Sequence, residues 1–572
     1  MSNRQVAHIL REVAELLELE DVPFKPRAYR RAAQTVESSP TDMEELVREG
    51  RLGELPGVGK AISEKIEEIV RTGRLSYHEE LRKKLPVDLY TLTQVEGVGV
   101  RTVKRLYEGL GVRNLTDLER AAREGKIRAL PGMGEKSEAR ILRGLAEVRG
   151  TEARILLWYA LNTARALCRK LEATGLFARL AYAGSLRRGR ATVGDLDLLG
   201  ISHHPEQAAQ AFVELPEVGQ VLARGAKRAS VRLSEGLQVD LRLVPEGSFG
   251  AALQYFTGSK EHNVRLRERA VGRGHKLNEY GLFDEAGEAL AGADEQGIYR
   301  SLGLEFIPPE LREDQGEVQA AERGELPKLV SLGELLGDLH IHTNWSDGDA
   351  SVERMAQAAR ERGFRYIAIT DHFLFSESVG GVTAEDLRRQ LDEVARLNEE
   401  LEGFRILSGV EANILPDGSL DVPRDILMRL DLVIGSIHSR FRTAKKEMTE
   451  RLLRAVDEEA MDVLGHPTGR LIGERAAYEV DWDEVFSRAA KTGTALEINA
   501  NPQRLDLNSS LVRRAVEAGA RLIIGTDAHA VQHLDFLELG VVTARRGWVE
   551  AKHVLNTLSA EKVLAARKRG CS

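Results

Sequence analysis

The sequence predicts a multidomain protein with a helical N-terminal region, an α+β middle region and a C-terminal α/β barrel. The length of 572 residues suggests about three to four domains at roughly 150 residues each. In the first 150 residues, a glycine-containing motif occurs three times, each time before an amphipathic stretch. After residue 337, short apolar strands alternate with amphipathic helices, which is the rhythm of a parallel β/α barrel.

The composition is that of a soluble globular protein, with 42% hydrophobic and 30% charged residues, so disorder is excluded as the main state. No apolar run approaches the ~20 residues that span a bilayer, and the N-terminus lacks the pattern of a signal peptide. Two cysteines, Cys168 and Cys571, cannot build a disulfide framework or a thiolate zinc site. We therefore expect a cytoplasmic protein without membrane contact.

The charge is unevenly distributed along the chain. Residues 1–150 carry 27 Lys and Arg against 25 Asp and Glu, whereas the net charge of the whole chain is −8. The acidity is therefore concentrated after residue 150. It indicates either carboxylate metal sites or only solvated helix faces, and the motifs must decide between them.

The repeated N-terminal motif is predicted to be a helix–hairpin–helix element. It occurs at Leu55–Gly59, Val95–Gly99 and Leu130–Gly134. Its glycines permit a tight turn, and the following helix directs N–H groups at an anion such as a DNA phosphate. One such turn could simply connect two helices, but three copies with nearby Lys or Arg favour DNA binding. The predicted DNA-binding residues are Gly57, Gly59, Lys60, Gly97, Gly99, Gly132 and Gly134.

The middle region contains acids at strand spacing. Asp195 and Asp197 lie two residues apart, on one face of a predicted strand over 195–201, and Asp240 lies on another apolar strand. Carboxylates this close repel one another unless cations lie between them. Three such acids therefore predict two divalent metals arranged for in-line phosphoryl transfer. The preceding Gly184-Ser185 turn with Arg188 could hold a triphosphate.

These motifs, together with Tyr255–Ser259 and Leu277–Leu282, resemble a family X DNA polymerase of the DNA polymerase beta kind over roughly residues 1–315. The resemblance implies that Asp195, Asp197 and Asp240 bind Mg²⁺, or Mn²⁺, and catalyse nucleotidyl transfer. It implies as substrates deoxynucleoside triphosphates and gapped or primer-template DNA. The implied nucleotide contacts are Gly184, Ser185, Arg188, Gly194, Tyr255, Phe256, Gly258, Lys260 and Asn263. Lys260 replaces an acid of polymerase beta, and Gln238 replaces an arginine.

The resemblance also suggests a weaker N-terminal activity. Lys65 matches a lysine that forms a Schiff base with an abasic sugar in the eukaryotic relative, and Lys25 and Tyr29 match supporting positions. However, Ala61 stands where the relative has another lysine. Binding of a 5′-phosphate and weak 5′-deoxyribose-phosphate lyase activity therefore remain alternatives for Lys65.

The C-terminal region is rich in histidine, with eight of the fourteen histidines of the chain after residue 337. Several of them, with three acids, lie at the ends of predicted strands, where β/α barrels place active-site residues. These groups are His340, His342, Asp347, His372, Glu411, His438, His466, Asp527 and His529. Imidazoles and carboxylates without thiolates suit Mn²⁺, Zn²⁺ or Fe²⁺, and nine ligands exceed the need of one ion. We expect two to three ions here, Mn²⁺ or Zn²⁺.

This set resembles the polymerase-and-histidinol-phosphatase (PHP) domain, a metal-dependent phosphoesterase that bacterial family X polymerases carry C-terminally. The resemblance implies 3′→5′ exonuclease activity, with abasic-site endonuclease and 3′-phosphatase activity as alternatives. The expected boundaries are a helix–hairpin–helix domain at 1–85, fingers at 86–148, a nucleotidyltransferase palm at 149–250, a thumb at 251–315, a linker at 316–336 and a distorted TIM-like PHP barrel at 337–572.

The leading hypothesis is a monomeric gap-filling polymerase of base excision repair with a fused nuclease. An alternative is a phosphoesterase whose polymerase region holds DNA but copies it slowly. A third hypothesis is a non-enzymatic repair scaffold, which the presence of Asp195, Asp197 and Asp240 disfavours.

Overall fold

The computed structural model describes residues 3–20, 22–39, 43–55, 57–84, 87, 89–93, 95, 98–150, 154–373 and 381–568. Gly97 and Cys571 of the sequence predictions lie outside these ranges. The chain divides into two compact units. One consists of residues 1–155, 216–221 and 231–238, and the other of residues 156–215, 222–230 and 239–572. Within the described ranges, we find no helix with the length and apolar character that crossing a membrane requires.

The first unit begins with a helical region. Its helices are α1 (Asn3–Leu19), α2 (Lys25–Ser38), α3 (Met43–Glu49), α4 (Lys60–Thr72), α5 (Ser76–Lys84), α6 (Leu89–Thr93), α7 (Val100–Leu110), α8 (Leu115–Arg123) and α9 (Glu135–Gly150). The amphipathic stretch predicted after the first glycine motif forms α4, which buries Ile62, Ile66 and Ile69 at helical spacing. Gly73 ends α4 in the left-handed conformation that glycine adopts readily.

The region predicted to be the palm, residues 149–250, contains a five-stranded sheet with the order β2-β4-β7-β6-β5. Its elements are β1 (Ile155–Leu156), α10 (Leu157–Glu172), β2 (Arg179–Tyr182), α11 (Gly184–Arg187), β3 (Thr192–Val193), β4 (Asp195–Ile201), α12 (Pro205–Val213), β5 (Val218–Arg224), β6 (Arg228–Leu233) and β7 (Gln238–Leu243). On β4, Leu196 and Leu198 are buried and alternate with Asp195 and Asp197. The alternation places both acids on the opposite face of the strand.

The region predicted to be the thumb, residues 251–315, begins within helix α13 (Phe249–Thr257). Its elements are α14 (Lys260–Val271), β8 (Lys276–Asn278), β9 (Gly281–Phe283), β10 (Ala289–Ala291) and α15 (Glu295–Ser301), and the three strands form an antiparallel sheet. Its core surrounds Tyr299, which is fully buried. Arg312 is also fully buried and pairs with Glu295 at 2.7 Å, because a buried charge requires a partner.

The segment 316–336, predicted to be a linker, is packed against its surroundings. It contains helix α16 (Glu317–Arg323), whose Val318 and Ala321 belong to the buried core of the thumb. Further on, the amide of Val330 donates to the carbonyl oxygen of Val549 at 2.9 Å. The segment therefore contacts both the thumb and the C-terminal part of the chain.

The barrel, residues 337–572, has seven strands in consecutive order, each parallel to its neighbour. The strands are β11 (Gly337–Ile341), β12 (Tyr366–Ile369), β13 (Arg405–Asn413), β14 (Leu432–Ser436), β15 (Val463–Leu464), β16 (Ala495–Asn499) and β17 (Leu522–Gly525). The helices are α17 (Val352–Glu361), α18 (Ala384–Glu400), α19 (Arg424–Leu427), α20 (Lys445–Asp457), α21 (Trp482–Thr492), α22 (Ser509–Glu517), α23 (Leu537–Arg546) and α24 (Ala560–Ala566). A parallel bridge between Ile341 and Ala528 nearly closes the ring and confirms the predicted α/β barrel.

Candidate active sites

Three acids of the palm lie on adjacent strands of its sheet. Asp195 and Asp197 share one face of β4, and Asp240 lies on the neighbouring β7. Burial raises the pKa of the Asp197 carboxyl, and the negative charges of Asp195 and Asp240 raise it further, so that it lies at about 6. Divalent cations between the three acids would offset their mutual repulsion.

Asp240 is held by two donors on β6. The Ser230 hydroxyl and the Arg228 guanidinium both donate to Oδ1 of Asp240, the latter at 3.1 Å. These hydrogen bonds fix the orientation of a carboxylate that is only 6% exposed. The three acids thus form an all-oxygen set of the kind that Mg²⁺ prefers.

The turn before β4 brings predicted nucleotide contacts to these acids. Gly184 has a φ of 63°, and a Cβ atom there would lie 2.6 Å from Oδ2 of Asp197. Arg188 donates from Nη1 to the carbonyl oxygen of Thr257 at 2.5 Å, and a Cβ on Gly258 would lie 3.1 Å from the same nitrogen. The structure therefore brings Gly184, Arg188 and Gly258 together with Asp197.

The remaining predicted nucleotide contacts lie around this turn and the start of the thumb. Ser185 is half-buried on α11, and Gly194 is half-buried between β3 and β4. Tyr255 and Phe256 make an edge-to-face contact at the end of α13, with ring centroids 5.1 Å apart. Asn263 is buried and donates to the carbonyl oxygen of Tyr255 at 2.7 Å. The side chain of Lys260, at the start of α14, is exposed.

Gly184→Ala is expected to damage incorporation severely. The added Cβ would be strained at positive φ and would displace the Asp197 carboxylate, and misplacing a reacting group can reduce the rate by about a hundredfold. We would measure kcat/KM for insertion of one nucleotide. Gly236→Ala is the matched control, because Gly236 has a φ of 91° but nothing within 4 Å of its Cβ position. Equal losses in both variants would contradict the predicted contact with Asp197.

The barrel contains a second centre, arranged around Glu411 at the carboxyl ends of its strands. Glu411 is 1% exposed, and its two carboxylate oxygens meet imidazole nitrogens of five histidines at 2.9 to 3.5 Å. The five are His340, His342, His372, His438 and His466. Burial alone would raise the pKa of Glu411, but His372 and His438 hold that pKa well below its usual range.

Two further acids complete the centre. Asp527 Oδ1 lies 3.2 Å from Nε2 of His342, and Asp347 Oδ1 lies 3.4 Å from Nε2 of His529. The structure thus brings all nine predicted ligands together. Within the described residues, eight of them form three groups whose ligand atoms lie within 4.8 Å of one another, and His466 joins the centre through its contact with Glu411. These groups are His342, Asp347, His372 and His529; His340, His342 and Asp527; and His372, Glu411 and His438.

The donor atoms of this centre fit metal ions better than they fit one another. Among the described residues, Nε2 of His340, both ring nitrogens of His342 and Oε2 of Glu411 are buried close to groups of opposite charge but make no hydrogen bond of suitable geometry. A buried polar atom without a partner is costly, so such atoms are expected to have ligands. A mixed set of imidazoles and carboxylates suits Mn²⁺ or Zn²⁺.

Supporting residues that the sequence reasoning missed orient the ligands. Glu497 lies 2.6 Å from Nδ1 of His340 and accepts from the amide of His466 at 2.5 Å. Asn413 Oδ1 lies 2.8 Å from Nδ1 of His438. Such partners fix the ring that binds a metal. An acid within the apolar strand Ala495–Asn499 is the same signal that pointed to Asp240, and it could have identified Glu497.

The helix–hairpin–helix glycines lie at the starts of helices in the first unit. Gly59 and Gly99 are the residues before α4 and α7, and Gly134 precedes α9. Gly57 and Gly132 have positive φ, as the tight turns require. The exposed Lys60 begins α4, so its charge lies at a helix N-terminus, which favours an anion such as a phosphate.

Two of the three predicted lyase residues share one aromatic neighbour. The ammonium of Lys65 lies 5.5 Å from the ring centroid of Tyr77, and Tyr29 stacks on Tyr77 at 6.4 Å. Tyr29 is buried, and burial raises its pKa to about 12. Lys25 is exposed at the start of α2.

Models of four families match the chain, in the order that the architecture predicts. They are a helix-hairpin-helix domain at residues 1–75, a SAM-like helix-hairpin-helix tandem at 89–147, the DNA polymerase beta thumb at 252–313 and the PHP domain at 338–501.

Similar proteins include both polymerases and phosphatases. The DNA polymerase/3'-5' exonuclease PolX of Bacillus subtilis (strain 168) is 41% identical over 573 residues, which cover 100% of both chains. DNA polymerase lambda of Arabidopsis thaliana is 27% identical over 54% of this chain and 62% of its own. A probable phosphatase of Thermoanaerobacter sp. (strain X514) is 28% identical over 39% of this chain and 91% of its own. The chain therefore belongs to the family X DNA polymerases that combine helix–hairpin–helix and thumb domains with a C-terminal PHP domain.

Proposed function

We propose that the chain is a template-directed DNA polymerase that fills short gaps during base excision repair, with a metal-dependent 3′→5′ exonuclease in its barrel. The observation that carries the proposal is the presence of two separate centres, the acids Asp195, Asp197 and Asp240 and the cluster around Glu411. The relative from Bacillus subtilis, which matches along the whole chain, bears both activities in its name. We infer a monomer that acts in the cytoplasm on DNA and deoxynucleoside triphosphates.

In the palm, Asp195, Asp197 and Asp240 would hold two Mg²⁺ or Mn²⁺ ions. When bound, such ions stabilise the charge that develops during phosphoryl transfer. Asp240, oriented by Ser230 and Arg228, would take the proton of the primer 3′-hydroxyl. Arg188 would donate to the triphosphate, because a guanidinium binds phosphate oxygens at fixed angles.

In the barrel, the three ligand groups around Glu411 would hold two to three Mn²⁺ or Zn²⁺ ions. When bound, such ions supply Lewis acidity toward a phosphodiester. Glu497 and Asn413 keep the rings of His340 and His438 in place. Arg504, whose Nε lies 3.3 Å from Asp527, provides a positive charge for the phosphate that is cleaved. Abasic-site endonuclease and 3′-phosphatase reactions would use the same groups, and they are the alternative activities of this centre.

The repair function predicts a preference for gaps that carry a 5′-phosphate, because Lys60 and the N-terminus of α4 suit an anion. We expect Lys60→Ala to reduce this preference, measured as the ratio of kcat/KM on gapped DNA to that on an open primer-template. Lys83→Ala, which changes an exposed lysine of α5, is the matched control. Equal activity of the unsubstituted enzyme on both substrates would contradict the gap-filling function.

A weak 5′-deoxyribose-phosphate lyase activity is a second candidate, favoured by the position of Lys65 over Tyr77. A lysine nucleophile forms a Schiff base with the sugar aldehyde. Borohydride should then trap a covalent adduct with the unsubstituted chain and none with Lys65→Ala. Absence of any adduct would leave only the phosphate-binding function for Lys65.

A further inference from the structure

The turn that contains Arg188 packs directly on the last helix that borders the barrel strands β16 and β17. Gly189 has a φ of 66°, and a Cβ atom there would lie 2.1 Å from Cγ1 of Val542 on α23. At the end of the same helix, Nη1 of Arg546 donates to the carbonyl oxygen of Arg188 at 2.5 Å. The barrel thus contacts the turn beside Asp197 at two points. Val542 packs against Gly189, and Arg546 donates to the backbone of Arg188.

Glu313 connects the two arginines. Its Oε1 accepts from Nε of Arg188 at 3.1 Å and from Nη1 of Arg546 at 3.0 Å. The three side chains are only 13%, 14% and 9% exposed for Arg188, Glu313 and Arg546. Because the charges are shielded from water and salt, these ion pairs hold their geometry better than surface pairs do.

Arg188 is thereby restrained before any nucleotide binds. A guanidinium has five N–H donors. Glu313 and the carbonyl oxygen of Thr257 take two of the donors of Arg188, at 3.1 and 2.5 Å. Restraining a binding group in advance reduces the entropy that is lost on binding.

We propose that Arg546 and Glu313 are positioning residues of the polymerase reaction, through which the barrel holds Arg188 in the orientation that receives the incoming triphosphate. This inference rests on the proposed function, in which Arg188 contacts that triphosphate. It assigns to the PHP barrel a second task that is independent of its metal centre. Nucleotide affinity in the palm then depends on a residue that lies 358 positions beyond Arg188.

The test compares variants of the full-length chain in single-nucleotide insertion of dTTP into gapped DNA. Arg546→Ala should raise KM for dTTP by about tenfold, because it removes the hydrogen bonds to Glu313 and to the carbonyl oxygen of Arg188, with little change in kcat. Arg546→Lys should restore part of the loss, since it keeps the positive charge that pairs with Glu313. Hydrolysis of single-stranded 3′ ends should stay unchanged, because Arg546 belongs to none of the three ligand groups.

Arg545→Ala is the matched control. Arg545 adjoins Arg546 on α23 and pairs with Glu310 at 2.7 Å, so it joins the same helix to the same part of the thumb without contacting Arg188. We expect this variant to lose similar thermal stability but to keep the KM of the unsubstituted enzyme. An equal rise of KM in both variants would overturn the inference and indicate a merely structural role.

Arg188→Ala distinguishes a failure of the positioning role of Arg546 from a failure of the triphosphate contact of Arg188. If Arg188→Ala raises KM but Arg546→Ala does not, the positioning role is wrong and the triphosphate contact stands. If Arg188→Ala leaves KM unchanged, the triphosphate contact itself is wrong, and the inference falls with it. Should Arg546→Ala fail to fold, Arg546→Lys and Glu313→Gln provide the second test, since Glu313→Gln keeps the shape of the side chain and removes the charge that Arg188, Arg190 and Arg546 share.

Discussion

Asp195→Ala is expected to abolish nucleotide incorporation and to leave DNA binding and hydrolysis of 3′ ends nearly unchanged. The substitution removes one of three carboxylates that would hold the ions of the palm, and loss of such charge stabilisation reduces kcat by about a thousandfold or more. The helix–hairpin–helix glycines belong to other elements, so their predicted contacts with phosphate should not change. Primer extension on gapped DNA, together with a binding titration, would measure both quantities.

The loss in Asp195→Ala should not come from unfolding. Asp195 raises the pKa of Asp197, so its removal relieves a repulsion and should leave the thermal stability at least as high as that of the unsubstituted chain. Glu206→Ala, which changes an exposed acid of α12, is the control for a simple change in charge. Near-normal incorporation by Asp195→Ala would refute the two-metal assignment in the palm.

His342→Ala is expected to eliminate hydrolysis and to spare polymerisation. His342 is fully buried and belongs to two of the three ligand groups. Loss of a residue that merely supports a ligand reduces activity or metal affinity by about 10- to 100-fold, so loss of the ligand itself should cost at least about a hundredfold. Release of nucleotides from a single-stranded 3′ end and the stoichiometry of bound Mn²⁺ would be measured side by side.

His553→Ala is the control for His342→Ala, because His553 is only partly buried and lies outside the three ligand groups. A His342→Ala chain that keeps its bound Mn²⁺ and its nuclease would contradict the assignment of this centre. If the variant instead lost polymerisation and retained hydrolysis, the allocation of activities to domains would be reversed.

Much of the architecture could be predicted because local patterns report local burial. The alternation of acids and leucines located β4 at 195–201, and strand ends with histidines located the centre of the barrel. The packing of residues 316–336 was harder to predict, because their many charges obscured the apolar side chains that pack in the thumb core. These side chains are Val318, Ala321, Leu326 and Leu329. The roles of Gly184, Arg188 and the nine barrel ligands remain predictions that the geometry supports.

Other features could not be predicted because they depend on pairs that are distant in sequence. Glu313 and Arg546 lie 233 positions apart, and neither belongs to a motif or to an apolar pattern. Glu497 is different, since its unusual position inside an apolar strand is visible in the sequence. An acid inside an apolar strand can thus be recognised from the sequence as a candidate functional residue. The residue that it pairs with can be recognised only from the fold.

The packing of Trp548 on the thumb core has a consequence for the order in which the chain matures on the ribosome. The core around Tyr299 is complete only when Trp548 has joined it, and Leu329 pairs with Glu550. Residues 330–547 must be translated first, which takes on the order of ten seconds or more at roughly 5–20 residues per second. During that interval, one side of the nascent thumb exposes apolar surface that chaperones could bind. A premature stop codon near the C-terminus would therefore affect the folding of a domain encoded hundreds of codons earlier.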